Sequence, residues 1–152
     1  MKKTTPSALE AHLGYWLRLV SNQVSHGFRL KVEKRGVTVA EWVVLRKLMD
    51  LGPSAPSQVA QALGLTRGAI SKLNERLAGK GLIEIGASGS DRRQQVVSLT
   101  RQGRALVPQL AALADENDDE CFGVLDPAAR AELRALLSRL IDAHGWAGTP
   151  ID

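Results

Sequence analysis

Between Ser57 and Thr100 the chain gathers residues suited to hydrogen bonding and charge neutralisation, with nothing arranged to break a bond. Arg67, Lys72 and Arg76 are spaced along the stretch TRGAISKLNERLAGKGLI, with the small residues Gly68 and Ser71 among them. Further on, GASGSDRR places Asp91, Arg92 and Arg93 together after two glycines and two serines. Turned at about 100° per residue, Ile70, Leu73 and Leu77 share one face, and Gly68, Ser71, Lys72, Glu75 and Gly79 share the other. Short side chains let a helix backbone approach a groove, and nearby guanidinium and ammonium groups then reach phosphates and base edges. An ordinary amphipathic surface helix with solvated cations fits this face equally well when the face is taken alone.

The neighbouring elements decide between those readings. Val59, Ala60 and Leu63 form the apolar face of a short helix that precedes the cationic one. Gly64 follows it, where a left-handed backbone costs little without a Cβ, and Thr66 stands ready to cap the next helix. Two helices joined by so short a turn predict a helix-turn-helix with its second helix over residues 66–80. Pro56 suits a first helical turn, and Ser54 is the expected cap before it. After Gly81, Leu82 to Ile85 and Gln95 to Leu99 read as two short strands of a hairpin, bounded by GASGSDRR. Its tip, residues 86–94, projects Arg92 and Arg93, and an arginine on such a loop can enter a narrow minor groove. Asp91 is near enough in sequence to orient Arg93 through a charge-assisted bond.

These residues and their order resemble the MarR family of bacterial transcriptional regulators, which are dimeric winged-helix proteins. The resemblance rests on the turn Gly64-Leu65-Thr66, on Leu77-x-x-Lys80-Gly81-Leu82-Ile83, and on Asp91-x-Arg93 followed by Leu99-Thr100-x-x-Gly103. Leu125-Asp126-Pro127 leading into Leu133, Leu136 and Leu137 extends it, so that it covers about residues 10–144. It implies that Arg93 enters the minor groove with Asp91 in support. The candidate DNA-contacting set is therefore Ser57, Gln58, Thr66, Arg67, Gly68, Ser71, Lys72, Arg76, Asp91, Arg92 and Arg93.

The expected fold is mainly α with a small β-hairpin wing. A winged-helix lobe spans about residues 38–100, and dimerisation helices span about 7–34 and 101–144. Leu9, Leu13, Trp16, Leu17, Val20, Val24 and Phe28 recur at steps of three and four, predicting one long helix from Ser7 to about Lys34. Thr38 and Glu41 form a capping-box pattern that opens a helix to about Asp50, with Trp42, Val43, Leu45, Leu48 and Met49 on its buried side. Thr100 and Asp126 are expected to cap the last two helices. The apolar stripes of the terminal helices leave water if two chains pair, and a two-fold dimer sets its reading helices about 34 Å apart, one turn of duplex, on a palindromic operator.

Charge is segregated in the way such a surface requires. Residues 66–104 hold eight Lys/Arg against three Asp/Glu, whereas residues 105–152 hold three against nine. Affinity for a phosphate backbone comes from counterions released at the contact face, so local excess matters more than the overall +4. At 152 residues the chain suits one domain.

The resemblance also implies a small aromatic or anionic effector, held between the dimer helices and the reading lobe. Candidates near that junction are His12, Trp16, His26 and Trp42, with Arg18 or Arg46 as anion partners; each of the four also reads as an ordinary core or structural residue. Cys121 is the single cysteine, which excludes an intrachain disulfide, and the acidic run Asp115 to Glu120 beside it disfavours a thiolate. That run reads as a solvated helix face. The three histidines lack metal-ligand spacing, and no phosphate-cradling glycine pattern or nucleophile elbow occurs. No cofactor, catalytic residue, membrane span or leader is expected, and the setting is expected to be the cytoplasm. The expected partner is double-stranded DNA bound by a homodimer; the competing class is a winged-helix module that docks another protein and has no operator.

Overall fold

A computed structural model describes residues 5–89 and 93–151. Six helices and one hairpin follow in the order α1 (Leu13–Glu33), α2 (Val39–Leu51), α3 (Pro56–Leu63), α4 (Arg67–Gly79), β1 (Ile83–Ala87), β2 (Gln95–Leu99), α5 (Arg101–Phe122) and α6 (Pro127–His144). The chain is thus mainly helical with a small wing, as the sequence predicts. The first helix begins later than its periodicity suggests. A 3-10 turn at Leu9–Ala11 precedes it, and His12 is extended at φ −100 and ψ 128, which breaks the helical run between Ser7 and Leu13.

The core is centred on the winged lobe and is completed by Val32 of α1 and Val107 and Leu110 of α5. Val44, Leu45 and Leu48 of α2, Val59 and Leu63 of α3, and Ile70, Leu73 and Leu77 of α4 meet Leu82, Ile83 and Val97 in one buried cluster. On α2 the inward set differs from the expected one: Val44 is buried, while Met49 is exposed and Trp42 and Val43 are half-buried. The α2 face is set by what α3, α4 and α5 present to it, and that lies outside its own periodicity.

One carboxylate fastens three pieces of this lobe. Glu41, 1% exposed, accepts from the Thr38 N–H at 2.9 Å, and the Thr38 hydroxyl accepts from the Glu41 N–H, which closes the predicted capping box. The same carboxylate accepts from the Lys80 ammonium at 2.7 Å, and that ammonium also donates to the Gly36 carbonyl. The start of α2, the end of α4 and the α1–α2 turn are therefore tied at one point. A charge so deeply buried is tolerated because it is both paired and hydrogen-bonded.

The hairpin is held from both sides. Strands β1 and β2 pair antiparallel with Ile85 opposite Val97. On its other edge Val97 exchanges two hydrogen bonds with Ser54, so Ser54 serves as a one-residue third strand and does not cap α3. Without a hydroxyl cap, α3 starts at Pro56 with the Gln58 side chain accepting from the Ala55 N–H. The return of the hairpin is locked by Thr100. Its hydroxyl donates to the Gly81 carbonyl and accepts from the Gly103 N–H, capping α5. Arg104 then donates to the Leu99 carbonyl. Gly103 packs so tightly under the hairpin that a Cβ there would overlap the Leu82 carbonyl oxygen, which explains why glycine occupies the Leu99-Thr100-x-x-Gly103 pattern.

Outside the lobe, α5 carries the chain away over 22 residues and packs along α1. The acidic run on it is only partly solvated. Asn117 is buried and donates to the Val24 carbonyl, and Glu120 accepts from Lys31 at 2.8 Å. The hydrogen bond with Glu120 holds the Lys31 ammonium above its ordinary pKa, and Lys31 holds Glu120 below its own. Asp126 caps α6 through the Ala129 N–H. Apolar residues line the outside of both terminal helices: Leu13, Trp16, Leu17 and Val20 on α1 and Leu136, Leu137, Leu140 and Ile141 on α6 are all exposed in the single chain.

Two substitutions probe this scaffold. Lys80→Ala leaves the Glu41 carboxylate buried with one fewer donor and is expected to cost about 2 kcal/mol in urea unfolding, with Glu41→Gln costing less because its carbonyl still accepts from Thr38. Gly103→Ala should cost about 2 kcal/mol or more, since the Leu82 backbone must give way.

Candidate nucleic-acid interface

The candidate reading head is built from α3, α4 and the hairpin. Gly64 leaves α3 in the left-handed region at φ +68, with its N–H on the Gln61 carbonyl and the Leu65 N–H on the Ala60 carbonyl. This pair of bonds reverses the chain within three residues. Thr66 then caps α4, its hydroxyl accepting from the Ala69 N–H at 3.1 Å. At the far end Gly81, at φ +73, closes α4 in the same manner, with Leu82 N–H on the Leu77 carbonyl. Both ends of α4 are consequently fixed by backbone geometry, and its rotation about its own axis is fixed by Ile70, Leu73 and Leu77 in the core.

That rotation turns Arg67, Gly68, Ser71, Lys72, Glu75, Arg76 and Gly79 to the outside. The exposed face thus agrees with the face projected from sequence. Among the described residues Arg67, Lys72 and Arg76 enter no ion pair, so their charge is available to a partner. Ser57 and Gln58 are exposed at the start of α3; Gln58 is partly engaged through its bond to Ala55. Between α3, α4 and the hairpin runs an open groove of about 790 Å³, lined by Ser57, Gln58, Arg67, Ser71, Arg93 and Gln95 among others. The fold therefore brings Ser57, Gln58, Arg67, Ser71 and Arg93, chosen on sequence grounds, around one concavity. Asp91 and Arg92, and with them the expected Asp91–Arg93 contact, lie outside the described residues.

Asn74 also lines this groove and was missed in the sequence. It is 3% exposed, and its Oδ1 has no hydrogen-bond partner among the described residues. The signal was present, because residue 74 falls four after Ile70 and three before Leu77, on the apolar face.

The four effector candidates are not gathered within one chain. His12 caps nothing with its side chain at the start of α1, and Trp16 is exposed, its indole N–H donating to the Glu10 carbonyl. His26 is exposed beside Arg29, whereas Trp42 is half-buried and meets Phe28 edge-on at a ring separation of 6.5 Å. Twelve helical residues separate Trp16 from Phe28, about 18 Å along α1, too far for one small-molecule pocket.

A helix-turn-helix with a flanking β-hairpin, a cationic and finely grained second helix, and long helices outside the lobe define a winged-helix transcriptional regulator. The sequence pattern of the MarR family matches residues 35–94, from the α1–α2 turn to the wing. A probable transcriptional regulator from Pseudomonas aeruginosa is similar over 88% of this chain and 100% of its own, at 30% identity and a TM-score of 0.77. This chain belongs to the MarR family. It is also 28% identical to the HTH-type transcriptional repressor NicR of Pseudomonas putida, over 97% of this chain and 99% of that protein. The structure of Bordetella bronchiseptica BpsR, described for the regulation of its DNA binding by 6-hydroxynicotinic acid, is similar over 91% of this chain and 99% of that one, with 29% identity and a TM-score of 0.77. The family is one of transcriptional regulators, not of enzymes. No described helix is long and apolar enough to cross a membrane, and no three described His, Cys, Asp or Glu residues are grouped to hold a metal ion.

Asn74→Leu removes a buried acceptor that no donor satisfies and keeps the side-chain volume, so it should leave thermal stability unchanged or raise it. A fall of more than about 1 kcal/mol in urea unfolding would show that the amide is satisfied in solution.

Proposed function

We propose that this chain is a homodimeric repressor that binds a palindromic DNA operator and releases it when a small aromatic acid binds. The observation that carries the reading is the exposed face of α4: Arg67, Lys72 and Arg76, in no ion pair among the described residues, beside Gly68 and Ser71, on a helix clamped at both ends. Small residues permit the helix to sink into the major groove; the cations then meet phosphate and base edges. Arg67, Gly68, Ser71 and Lys72 stand nearest the bases in this reading, Thr66, Ser57 and Gln58 meet the flanking phosphates, and Arg76 reaches phosphate from the side. Arg93, on the rim of the same groove, enters the adjacent minor groove.

Dimerisation is supported by the exposed apolar stripes of α1 and α6, which two copies bury together. The same pairing accounts for the scattered effector candidates, since His12 and Trp16 of one protomer can join His26 and Trp42 only across an interface. NicR is named as a repressor, and the DNA binding of BpsR is regulated by 6-hydroxynicotinic acid. A hydroxylated aromatic or heteroaromatic carboxylate is accordingly the effector class, and it acts by favouring a spacing of the two reading heads that no duplex matches. A DNA-bound regulator works where the chromosome is, in the cytoplasm.

Selection from a random duplex pool should return a palindrome. Affinity for it should fall roughly a thousandfold between about 50 and 200 mM salt, as six or more phosphate contacts per dimer require. Arg67→Ala and Arg93→Ala should each weaken binding by about 1–3 kcal/mol, and Ser71→Ala should relax base preference more than affinity. A salt-independent interaction, or no favoured duplex, overturns the proposal. In a thermal-shift screen, 6-hydroxynicotinic acid and related aromatic acids should raise the melting temperature in proportion to the logarithm of their concentration, and neutral analogues should not.

A further inference from the structure

Past α6 the chain turns back to the reading head. Gly145, at φ +62, ends the helix, its N–H on the Asp142 carbonyl and the Trp146 N–H on the Ile141 carbonyl. The His144 and Trp146 rings stack at 4.4 Å and 16°, which sets the direction of exit. Gly148, at φ +113, then lies against the α3–α4 turn so closely that a Cβ on Gly64 would stand 3.1 Å from the Gly148 Cα. Next to it the Thr149 N–H donates to the Leu63 carbonyl at 3.2 Å, and Thr149 and Ile151 are half-buried.

The acceptor matters. Leu63 is the last residue of α3, and the turn's own amides are spent on the Ala60 and Gln61 carbonyls. A residue 86 positions later supplies the donor that the local chain lacks. Only two residues separate Leu63 from Thr66, which caps α4. At its other end α6 is tied to α5 by Arg130, which donates to the Phe122 carbonyl and pairs with Asp119. Helix α6 otherwise runs without packing closely along another helix of its own chain among the described residues. It is thus fastened at the α5 corner and again, through its tail, at the helix-turn-helix.

We infer that residues 146–151 form a strap that couples the position of α6 to the attitude of α4, an inference about regulation that rests on the DNA-reading function proposed above. Docking gives α3 one hydrogen bond and half-buries Thr149 and Ile151, gains that the cost of ordering the segment's backbone largely offsets, so the docked state is shallow and reversible. A shallow contact is what a transmitting element needs, because a modest shift of α6 suffices to release it. The two glycines make the contact specific: Gly148 holds a backbone conformation that other residues rarely adopt, and Gly64 leaves the room it occupies.

The test uses three full-fold proteins: the intact chain, a chain ended at Trp146, and the full-length variant Thr149→Pro, which lacks the donating N–H. Hydrogen exchange at Gly64 and Leu65 should quicken about fivefold or more in both variants, and affinity for the duplex selected by the intact chain should weaken by a similar factor. Unchanged exchange in both variants overturns the strap, whether or not any duplex is preferred. Faster exchange with unchanged or tighter duplex binding overturns the coupling, since the tail would then be a local cap only. Faster exchange in a chain that prefers no duplex sustains the docking and removes only the regulator reading.

Discussion

The geometry of the winged lobe depends on one buried carboxylate and the lysine that reaches it. Glu41 sits within the core at the start of α2, and Lys80 reaches it from the end of α4. Removing Lys80 leaves the Glu41 carboxylate buried at a cost that neighbouring leucines cannot offset, because a desolvated charge needs a charged or hydrogen-bonding partner. The contact therefore enforces one spacing between α2 and α4, and the capping box gives the carboxylate one orientation. Apolar packing alone tolerates sliding, whereas a directional bond of this kind does not. A helix that reads base edges, the role proposed for α4, needs that kind of registration.

From this point rigidity passes outward through a short series of backbone contacts. Gly81 ends α4 and accepts from Thr100, Thr100 caps α5, and Gly103 lets the start of α5 press against Leu82. The hairpin, the end of α4 and the root of α5 therefore move together. Because α5 is the route to α6, a change there is carried directly to the hairpin base, while the C-terminal segment touches the α3–α4 turn at Leu63 and Gly64. Helix α4 is thus held at one end through Lys80 and Gly81 and near the other through the α3–α4 turn.

Much of this was legible before any coordinates. Thr38 with Glu41, Thr66, Thr100 and Asp126 each cap the helix they precede, and Gly64 turns the chain in the left-handed region, because caps and turns are short-range chemistry written in adjacent residues. The outward face of α4 was also recoverable, since a helix with three core residues at regular spacing has only one way to rest. Errors arose where the deciding group is distant in sequence. Ser54 looked like a cap and is a strand partner of Val97. Met49 looked buried and Val44 proved to be, because the neighbours of α2 choose its inner face. The α1 start slipped to Leu13 where His12 adopts an extended backbone that apolar periodicity does not register.

The sequence by itself determined the type of each element, the chemistry of the exposed helix and the segregation of basic from acidic residues, all set by local propensity and spacing. Tertiary structure alone decided that Lys80 answers Glu41, that the Asn74 Oδ1 is buried without a partner among the described residues, and that Thr149 completes α3 from 86 positions away. The reason is physical: hydrogen bonds and ion pairs act over about 3 Å, so a polar group's partner is fixed only when folding has brought remote backbone to within that distance.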